Sequence, residues 1–255
     1  TSLRNRGFGS RVSGETVPLW TPADITTDAW YDAADADTIT ESGGLVSQWD
    51  DKSGNNRDVS QGTGTKQPTL TTLNGDDAIL FDSADDLLKA ASYSPSGNLS
   101  VYMVAANNRT LPGVSGEIDV VLSTHSAGSA KPGMTFETYT GFVTTAKRFF
   151  ASEGNGSVFS EYVDGSVNTD SELGYQTPHV FDGIGNATVG ANPLTIGKFG
   201  DDRFQGNNYT QEIVIVSGQD ATADRQKMEG YLAWKWGLQA NLPSGHPYKN
   251  SAPVV

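Results

Sequence analysis

The stretch TQEIVIVS, residues 210–217, sets two isoleucines against two valines in alternation. Because side chains along a strand alternate between its two faces, Ile213 and Ile215 lie on one face and Val214 and Val216 on the other. A strand that is apolar on both faces is covered on both sides. The pattern therefore predicts a central strand of a sheet.

A helix is predicted directly after this strand, over residues 222–236. Thr222 is the expected N-cap and Gly237 the expected C′ residue. One apolar face is formed by the side chains at helical spacing, Met228, Tyr231, Leu232 and Trp236. Pro243 and Pro247 do not let the helix continue. We expect the helix to act as a clamp, with one face against the sheet, before the chain returns in extended form.

Short apolar or alternating runs, bounded by turn-forming residues, predict the other strands. They cover residues 28–33, 44–49, 78–82, 98–106, 118–122, 134–139, 148–151, 158–163 and 194–197. Asp164-Gly165 is a hairpin-turn signal, whereas residues 59–76, rich in Gly, Thr and Gln, are expected to be a loop. This spacing predicts an all-β fold, a two-sheet antiparallel jelly-roll sandwich with a short C-terminal helix.

The composition favours one acidic domain with a basic extension. The chain has 255 residues, a formal net charge of −13 and no cysteine. A single domain is expected over residues 16–255. Residues 1–15 form a basic N-terminal arm with Arg4, Arg6 and Arg11, which is either a docking tether or a disordered terminus. The charge argues against nucleic acid and anionic membrane as partners, and no run approaches the ~20 apolar residues of a membrane span.

Several motifs, in this order, carry a family resemblance. They are Gln48-Trp49-Asp50-Asp51-Lys52-Ser53-Gly54-Asn55, Asn74-Gly75, Ala78-Ile79-Leu80-Phe81-Asp82, Leu194 to Gly197, Arg225 to Leu238, and Leu242-Pro243 with His246-Pro247-Tyr248. This order, over roughly residues 20–250, resembles laminin-G-like, concanavalin A-like jelly-roll domains. The resemblance is to those in bacteriophage virion proteins (tail, receptor-binding and head-surface components) and in bacterial adhesins.

The resemblance implies a function as well as a fold. Members of this family bind glycans or proteins or serve as structural modules, and some bind calcium. It implies a non-catalytic structural or attachment protein on the virion surface. Its partners would be other virion proteins, through the arm at residues 1–15, and host-surface glycan, and phage fibres and spikes imply a homo-oligomer. The alternatives are a carbohydrate-binding adhesion module of a secreted or cell-surface bacterial protein, and a polysaccharide-degrading enzyme.

Catalytic motifs are weak, so the sequence predicts no enzyme and no catalytic residue. Jelly-roll glycoside hydrolases pair two carboxylates on one strand, one as nucleophile and one as acid. Glu117 and Asp119 fit the start of such a motif, but Val121 and Leu122 occupy the positions for the second Glu. Without that carboxylate the strand supplies no proton donor. The three histidines, His125, His179 and His246, form no recognisable triad element.

One loop has side chains that suit calcium. Asp51, Ser53, Asn55 and Asp58 place oxygens at intervals in a Gly-containing loop, and calcium takes such ligands. The same pattern fits an Asx-turn, in which Asp and Asn accept hydrogen bonds from their own backbone. A second acidic loop, Gly200 to Arg203, is either a contributor or simply solvated. Calcium is thus the one candidate cofactor, and the metal ligands stay unassigned.

Carbohydrate sites in sandwich domains stack an aromatic ring on a sugar and use Asp or Asn for its hydroxyls. The aromatic residues near predicted loops or strand ends are Tyr139, Tyr162, Tyr175, Phe199 and Tyr209. Most aromatic residues in such a chain belong to the core. The sequence therefore names candidates and leaves the binding site unknown.

Overall fold

The computed structural model describes residues 11–12, 15–108, 118–123, 133–137, 148–151, 158–168, 173–187, 193–198 and 205–255. The strands are β1 (Arg11–Val12), β2 (Glu15–Thr16), β3 (Ala29–Asp32), β4 (Ile39–Ser42), β5 (Leu45–Trp49), β6 (Val59–Ser60), β7 (Thr69–Leu73), β8 (Asp76–Asp82), β9 (Leu88–Ala90), β10 (Gly97–Asn107), β11 (Ile118–Ser123), β12 (Gly133–Glu137), β13 (Arg148–Ala151), β14 (Val158–Val163), β15 (Ser166–Val167), β16 (His179–Ala187), β17 (Thr195–Ile196) and β18 (Asn207–Ser217). The helix α1 (Thr222–Lys235) follows β18, and 3-10 turns lie at Pro22–Asp24, Ala36–Thr38 and Gly64–Lys66.

β18 lies between partners on both of its edges. It pairs antiparallel with β10 from Leu99↔Ser217 to Asn107↔Asn208. On the other edge it pairs with β3 and β8. The central strand predicted from the alternation in residues 210–217 is therefore confirmed.

The sheet folds over on itself to form a sandwich. The hydrogen-bonded path runs β13-β12-β11-β17-β9-β6-β5-β7-β8-β18-β10-β16-β14-β15, with β3 joined to β18 and β4 to β5. Side chains from both halves of this path share one buried cluster, since Trp49 and Val59 belong to it together with Val101 and Ile213. The predicted all-β sandwich with a short C-terminal helix is confirmed.

The opposite face of the β18 sheet carries a second core. Tyr102 and Val214 point away from the first cluster and are buried with Met228, Leu232 and Trp236 of the helix region. This explains why β18 is apolar on both faces. Tyr231 packs at the margin of the same cluster, so the predicted apolar face of the clamp helix is confirmed.

The helix ends differ slightly from the sequence prediction. Ala221 is the N-cap, with extended backbone, and no side chain caps the first turn. The predicted N-cap Thr222 is wrong, because Thr222 already has helical geometry. The helix ends at Lys235, one residue earlier than predicted, and Trp236 is the C-cap. Gly237 has a φ of +73°, as a C′ glycine does.

The predicted loop at residues 59–76 is wrong. It contains β6, a 3-10 turn and β7, which pairs with β8 from Thr69↔Leu80 to Leu73↔Asp76. Asn74 and Gly75, with φ of +54° and +89°, close this hairpin. Threonines supply much of β7, so it lacks the apolar alternation that marks a strand. The predicted turn at Asp164-Gly165 is confirmed between β14 and β15.

The two chain ends of the described domain lie together. Leu19 forms a bridge with Val254, and the backbone N–H of Trp20 donates to Pro253 O at 3.1 Å. Residues 1–10 of the predicted basic arm lie outside the described residues, and the division at residue 15 stays a prediction. Within the described ranges, no helix is long and apolar enough to cross a membrane.

Candidate functional site

The loop after β5 is organised around one carboxylate. Asp51 Oδ1 accepts the backbone N–H groups of Trp30 and Ser53, each at 2.9 Å. Asp51 Oδ2 accepts the Ser53 hydroxyl at 2.7 Å and the backbone N–H of Arg57 at 3.1 Å. The Asp51–Ser53 contact is an Asx-turn, and the other two bonds fasten the loop to β3 and to its own far end.

These hydrogen bonds affect whether the oxygens of this loop are free to bind calcium. A carboxylate has about four acceptor positions, and four donors already occupy those of Asp51. Asp58 Oδ1 accepts the backbone N–H of Asp51 at 2.9 Å. The oxygens of Asp51 and Ser53 and one oxygen of Asp58 are thus held in internal hydrogen bonds, and the described residues contain no group of three or more His, Asp or Glu placed to hold a metal ion. Most of the second acidic loop lies outside the described residues.

The loop is fastened to the chain just before β3. Asn55 Nδ2 donates to the carbonyl oxygens of Thr27 at 2.9 Å and Asp28 at 3.0 Å. Arg57 Nη1 donates to Asp28 O at 2.7 Å and lies 3.2 Å from Asp28 Oδ1. The Ser217 hydroxyl, at the end of β18, donates to Asp28 Oδ2. Three distant segments therefore meet at Asp28.

An open cleft of about 510 Å³ lies beside this junction. Its walls are the end of the β5–β6 loop and the segment between β9 and β10. The lining residues are Asp28, Asn55, Asn56, Arg57, Asp58, Ala90, Ala91, Ser92, Tyr93, Ser94, Pro95, Ser96 and Ser217. The volume is within the range of roughly 300–1,000 Å³ that small-molecule sites occupy.

Tyr93 and Arg57 form the base of the cleft. The Arg57 guanidinium carbon lies 4.1 Å from the centre of the Tyr93 ring, a cation–π contact. The Tyr93 hydroxyl is buried. Burial and the nearby Asp28 carboxylate raise the pKa of Tyr93, so this hydroxyl stays protonated. Asp28 therefore compensates the charge of Arg57 beside the Tyr93 ring.

The chemistry of the cleft is that of hydrogen bonding. Serine hydroxyls and asparagine amides both donate and accept, carboxylates accept, and a guanidinium donates. A ligand with many hydroxyl groups matches such a mixed set. Few apolar atoms line the walls, so a hydrophobic ligand would find little complementary surface.

The aromatic candidates from the sequence fall into three groups. Tyr139 and Phe199 lie outside the described residues. The Tyr162 ring covers the guanidinium of Arg225 at 3.7 Å, beneath the helix, which is a structural contact. Tyr175 and Tyr209 lie close together. Burial raises the pKa of Tyr209, and the neighbouring Tyr175 adds a smaller effect in the same direction.

Amide side chains hold this tyrosine pair in place. Gln176 Nε2 donates to Tyr209 Oη at 3.1 Å and to Asn108 Oδ1 at 2.8 Å. Asn108 Nδ2 donates in turn to Asn207 Oδ1 at 3.0 Å. Tyr175 is 47% exposed. We call Asn108, Tyr175, Gln176, Asn207 and Tyr209 the tyrosine surface.

The cleft and the tyrosine surface lie at opposite ends of β18. Ser217 ends the strand at the cleft, and Asn207 begins it at the tyrosine surface. With a rise of about 3.3 Å per residue, the two ends are roughly 30 Å apart. One small ligand therefore cannot fill both places.

The residues that were considered as catalytic from the sequence do not come together at the cleft. Asp119 is fully buried on β11, and Glu117 and His125 lie outside the described residues. His179 Nδ1 lies 2.6 Å from Asp164 Oδ2, and His246 Nε2 lies 2.9 Å from Glu229 Oε2. Neither of these two histidines lines the cleft.

Sequence reasoning missed the cleft. Asp28, Arg57, Tyr93 and Ser217 are far apart in the chain and carry no shared motif. One part of the sequence does indicate the cleft. The run from Gln48 to Asn55, which belongs to the motifs of the family resemblance, ends at the cleft wall.

Comparisons with known proteins give only distant likenesses. No family model and no curated protein matches the chain. An arabinofuranosidase complexed with arabinofuranosyl-alpha-1,2-xylobiose is 12% identical, with a TM-score of 0.45, over 80% of this chain and 58% of that one. A Trypanosoma rangeli sialidase is 13% identical, with a TM-score of 0.40, over 85% and 34%. Botulinum neurotoxin type C, whose cell entry depends on two ganglioside molecules, is 10% identical, with a TM-score of 0.43, over 82% and 52%.

These comparisons correct one prediction. The chain spans from 34% to 58% of the length of these three structures. Those neighbours are glycan-binding or glycoside-processing proteins, and the glycosidases among them contradict the prediction that the chain is not an enzyme. We withdraw that prediction. With TM-scores below 0.5, the same likenesses assign no activity to this chain.

Proposed function

We propose that this sandwich domain binds carbohydrate in the cleft beside Asp28. The observation that carries the proposal is the lining, in which hydroxyl, amide, carboxylate and guanidinium groups converge around about 510 Å³. Sugars present many hydroxyls that both donate and accept, which matches this set. The internal hydrogen bonds of Asp51 and Asp28 hold the walls in place, so little ordering is needed on binding.

The preferred ligand is a neutral oligosaccharide. Arg57 is paired with Asp28, so the cleft offers no uncompensated cation to an acidic sugar. The chain also carries a net charge of −13, which repels polyanions at low salt. Affinity for a neutral glycan should therefore change little with ionic strength.

A glycan array, followed by calorimetry on the best neutral ligand, tests the proposal. Ser92 is an exposed residue of the lining, so Ser92→Trp fills the cleft without removing a wall hydrogen bond. We expect at least a tenfold weaker affinity with an unchanged melting temperature. Ser42→Trp, at an exposed position on β4 outside the cleft, is the matched control.

The proposal fails if no neutral glycan binds, or if Ser92→Trp binds as tightly as the unaltered protein. Release of reducing sugar should be measured in the same mixtures. Binding without release indicates recognition, whereas release that Ser92→Trp abolishes would place a hydrolytic activity in the cleft.

The tyrosine surface favours a second contact with glycan. An exposed ring beside fixed amides suits stacking on a sugar face with hydrogen bonds at its rim. Tyr175→Ala should weaken binding to a densely glycosylated surface while leaving calorimetry with a short soluble ligand unchanged. Val167→Ala, also at an exposed position, is the control. Equal binding to the surface by both variants would exclude this contact.

The biological setting is proposed from the sequence resemblance alone. An attachment component of a phage particle, anchored through the arm at residues 1–15 and assembled as a homo-oligomer, is the first setting. A secreted or cell-surface bacterial adhesin is the second. Deletion of residues 1–14 should abolish incorporation into a particle while leaving the fold intact, and sedimentation velocity should show an oligomer. Normal incorporation would exclude the arm as a tether.

A further inference from the structure

A group of ionisable side chains is sealed between α1, the sheet and the chain that follows the helix, residues 237–255, which we call the C-terminal tail. Asp182 lies at the centre of β16 and Glu229 faces it from α1, and both are fully buried. Arg225 and His246 complete the group, at 7% and 6% exposure. No ligand could reach these side chains, so their role concerns the fold itself.

The hydrogen bonds of His246 identify its protonation state. Its Nδ1 accepts the backbone N–H of Tyr248 at 3.2 Å, so Nδ1 carries no proton. Its Nε2, 2.9 Å from Glu229 Oε2, is then the atom that bears the hydrogen and donates it. The ring is therefore neutral, and among the described residues Arg225 is the one cation in contact with this carboxyl pair.

Two carboxylates and one guanidinium would leave a net negative charge in a dry interior. Arg225 donates to Glu229 and lies 3.8 Å from Asp182 Oδ2. Neither oxygen of Asp182 receives an N–H or hydroxyl hydrogen bond from a described residue. Asp182 instead contacts Glu229. Two facing carboxyl groups form a hydrogen bond only when one of them keeps its proton.

We propose that Asp182 and Glu229 share one proton that fastens α1 and the C-terminal tail to β16, and that this attachment weakens as the pH rises. Asp182 holds the proton and donates it to Glu229. The ionised Glu229 forms an ion pair with Arg225 and accepts a hydrogen bond from His246 of the C-terminal tail. Loss of the proton places two like charges side by side without water.

In the part of the chain that the structure describes, the remaining groups around Asp182 do not supply a second cation. Its register neighbours are Tyr102 on β10 and Tyr162 on β14. The Tyr102 hydroxyl donates to Asp220. Asp164, paired with His179, lies on the nearby turn and adds a further negative charge. Burial, Glu229 and Asp164 raise the pKa of Asp182 well above its ordinary value, and Arg225 only partly opposes them.

The direction of the pH effect follows from proton binding. Asp182 in the unfolded chain ionises near its ordinary pKa of about 3.9, while the folded protein keeps the proton to higher pH. Between those two values the folded state holds one proton more than the unfolded state. The equilibrium constant for unfolding therefore rises about tenfold per pH unit from this group, and levels off once folded Asp182 ionises.

Asp182→Asn is the decisive variant, because its amide offers Glu229 an N–H in place of the carboxyl O–H and cannot ionise. Urea unfolding should be measured from pH 4 to pH 9 for both proteins. We expect the ratio of the unfolding constants, unaltered protein over variant, to rise about tenfold per pH unit from pH 4 upward. Asp37→Asn, an exposed carboxylate, should show no such trend. Using the ratio removes contributions from other titrating groups such as Asp86, whose pKa burial and Asp82 raise to about 7.

An NMR titration of the side-chain carboxyl carbons in the unaltered protein gives an independent test, and decides the matter if Asp182→Asn does not fold. The proposal predicts that the Asp182 signal stays in the protonated form well above pH 4. It also predicts faster amide exchange in the C-terminal tail, after correction for the intrinsic rate, as that signal titrates. An ordinary titration of Asp182 near pH 4, or a constant ratio of unfolding constants, would overturn it.

Discussion

Lys235, in the last turn of α1, donates from Nζ to Glu212 Oε2 at 2.7 Å, and this contact joins the helix to the middle of β18. Lys235 also lies 2.6 Å from Asp32 Oδ1, and Lys52 lies 2.7 Å from the other oxygen, Asp32 Oδ2. Burial alone would raise the pKa of Asp32, but the attraction of the two lysines is larger and holds this pKa below the usual value. Lys235 and Lys52 thus connect Glu212, Asp32 and the partly exposed Asp35 in one ion-pair network.

Glu212→Gln should strongly destabilise the domain. Glu212 is fully buried and also accepts the indole N–H of Trp30 at 2.7 Å and of Trp236 at 2.5 Å. The amide that replaces the carboxylate has one acceptor oxygen in place of two, so partly buried Lys235 keeps only Asp32 as a charged partner and part of the buried hydrogen bonding is lost, which costs about 3 kcal/mol. Urea unfolding at pH 7 measures the loss. Asp77→Asn, on the exposed side of β8, should change the unfolding free energy by less than about 0.5 kcal/mol. A similar small loss for Glu212→Gln would show that the network contributes little.

Trp236→Ala tests whether the helix clamps the sheet. The ring is 6% exposed in the cluster between helix and sheet, and large-to-small changes of buried aromatics cost about 3–5 kcal/mol. Thermal and urea unfolding should both report this loss. Trp234 is only partly buried, so Trp234→Phe is a milder comparison. A loss below about 1 kcal/mol for Trp236→Ala would mean that the helix does not pack as described.

Gly197→Ala should be disruptive for a steric reason. A Cβ at this position would overlap the ring of Phe81, and the φ of +84° disfavours any residue other than glycine. Overpacking and backbone strain together should cost at least about 2 kcal/mol. Gly218→Ala is the matched control, since Gly218 has a φ of +102° and open space around its Cβ. If both variants lose the same stability, the contact with Phe81 is unimportant.

Asp51→Asn tests the loop that supports the cleft. An amide offers one acceptor oxygen in place of two, so about half of the four hydrogen bonds at this side chain are lost. We expect about 1.5–3 kcal/mol of destabilisation together with weaker glycan binding, because the backbone of Arg57 is held less firmly at the cleft wall. Asp50→Asn, beside it, is the control, because the Asp50 carboxylate accepts the Gln48 amide at 2.6 Å and, within the described residues, no loop backbone N–H. Unchanged binding by Asp51→Asn would separate the loop from the function.

The elements that sequence reasoning predicted well are those specified by local pattern. β18 alternates isoleucine and valine, and α1 repeats its apolar residues at helical spacing. β16 went unpredicted because Asp182, Gly183 and Gly185 interrupt its apolar pattern. Its stability comes from lying between β10 and β14, which no short window of sequence shows.

The candidate sites likewise divide into features that a local sequence pattern shows and features that arise only in the folded chain. Tyr175 and Tyr209 were named beforehand, because an aromatic residue near a strand end is visible in the sequence. Their pairing through Gln176 was not, since it depends on where two distant turns meet. The contacts at Asp28 join positions 57 and 217, so the cleft exists only in the folded chain.

The position of β18 has a consequence for how the chain is made. β3, β8 and β10 all leave the ribosome well before residues 207–217, yet each takes β18 as a neighbour. The edges of these strands that face β18 therefore stay unpaired until residues 207–217 have emerged. Pairings between such distant segments form slowly, and open edges invite association between chains. A nascent chain that stalls before residue 207 should aggregate, and emergence of β18 and α1 should allow the whole sandwich to fold.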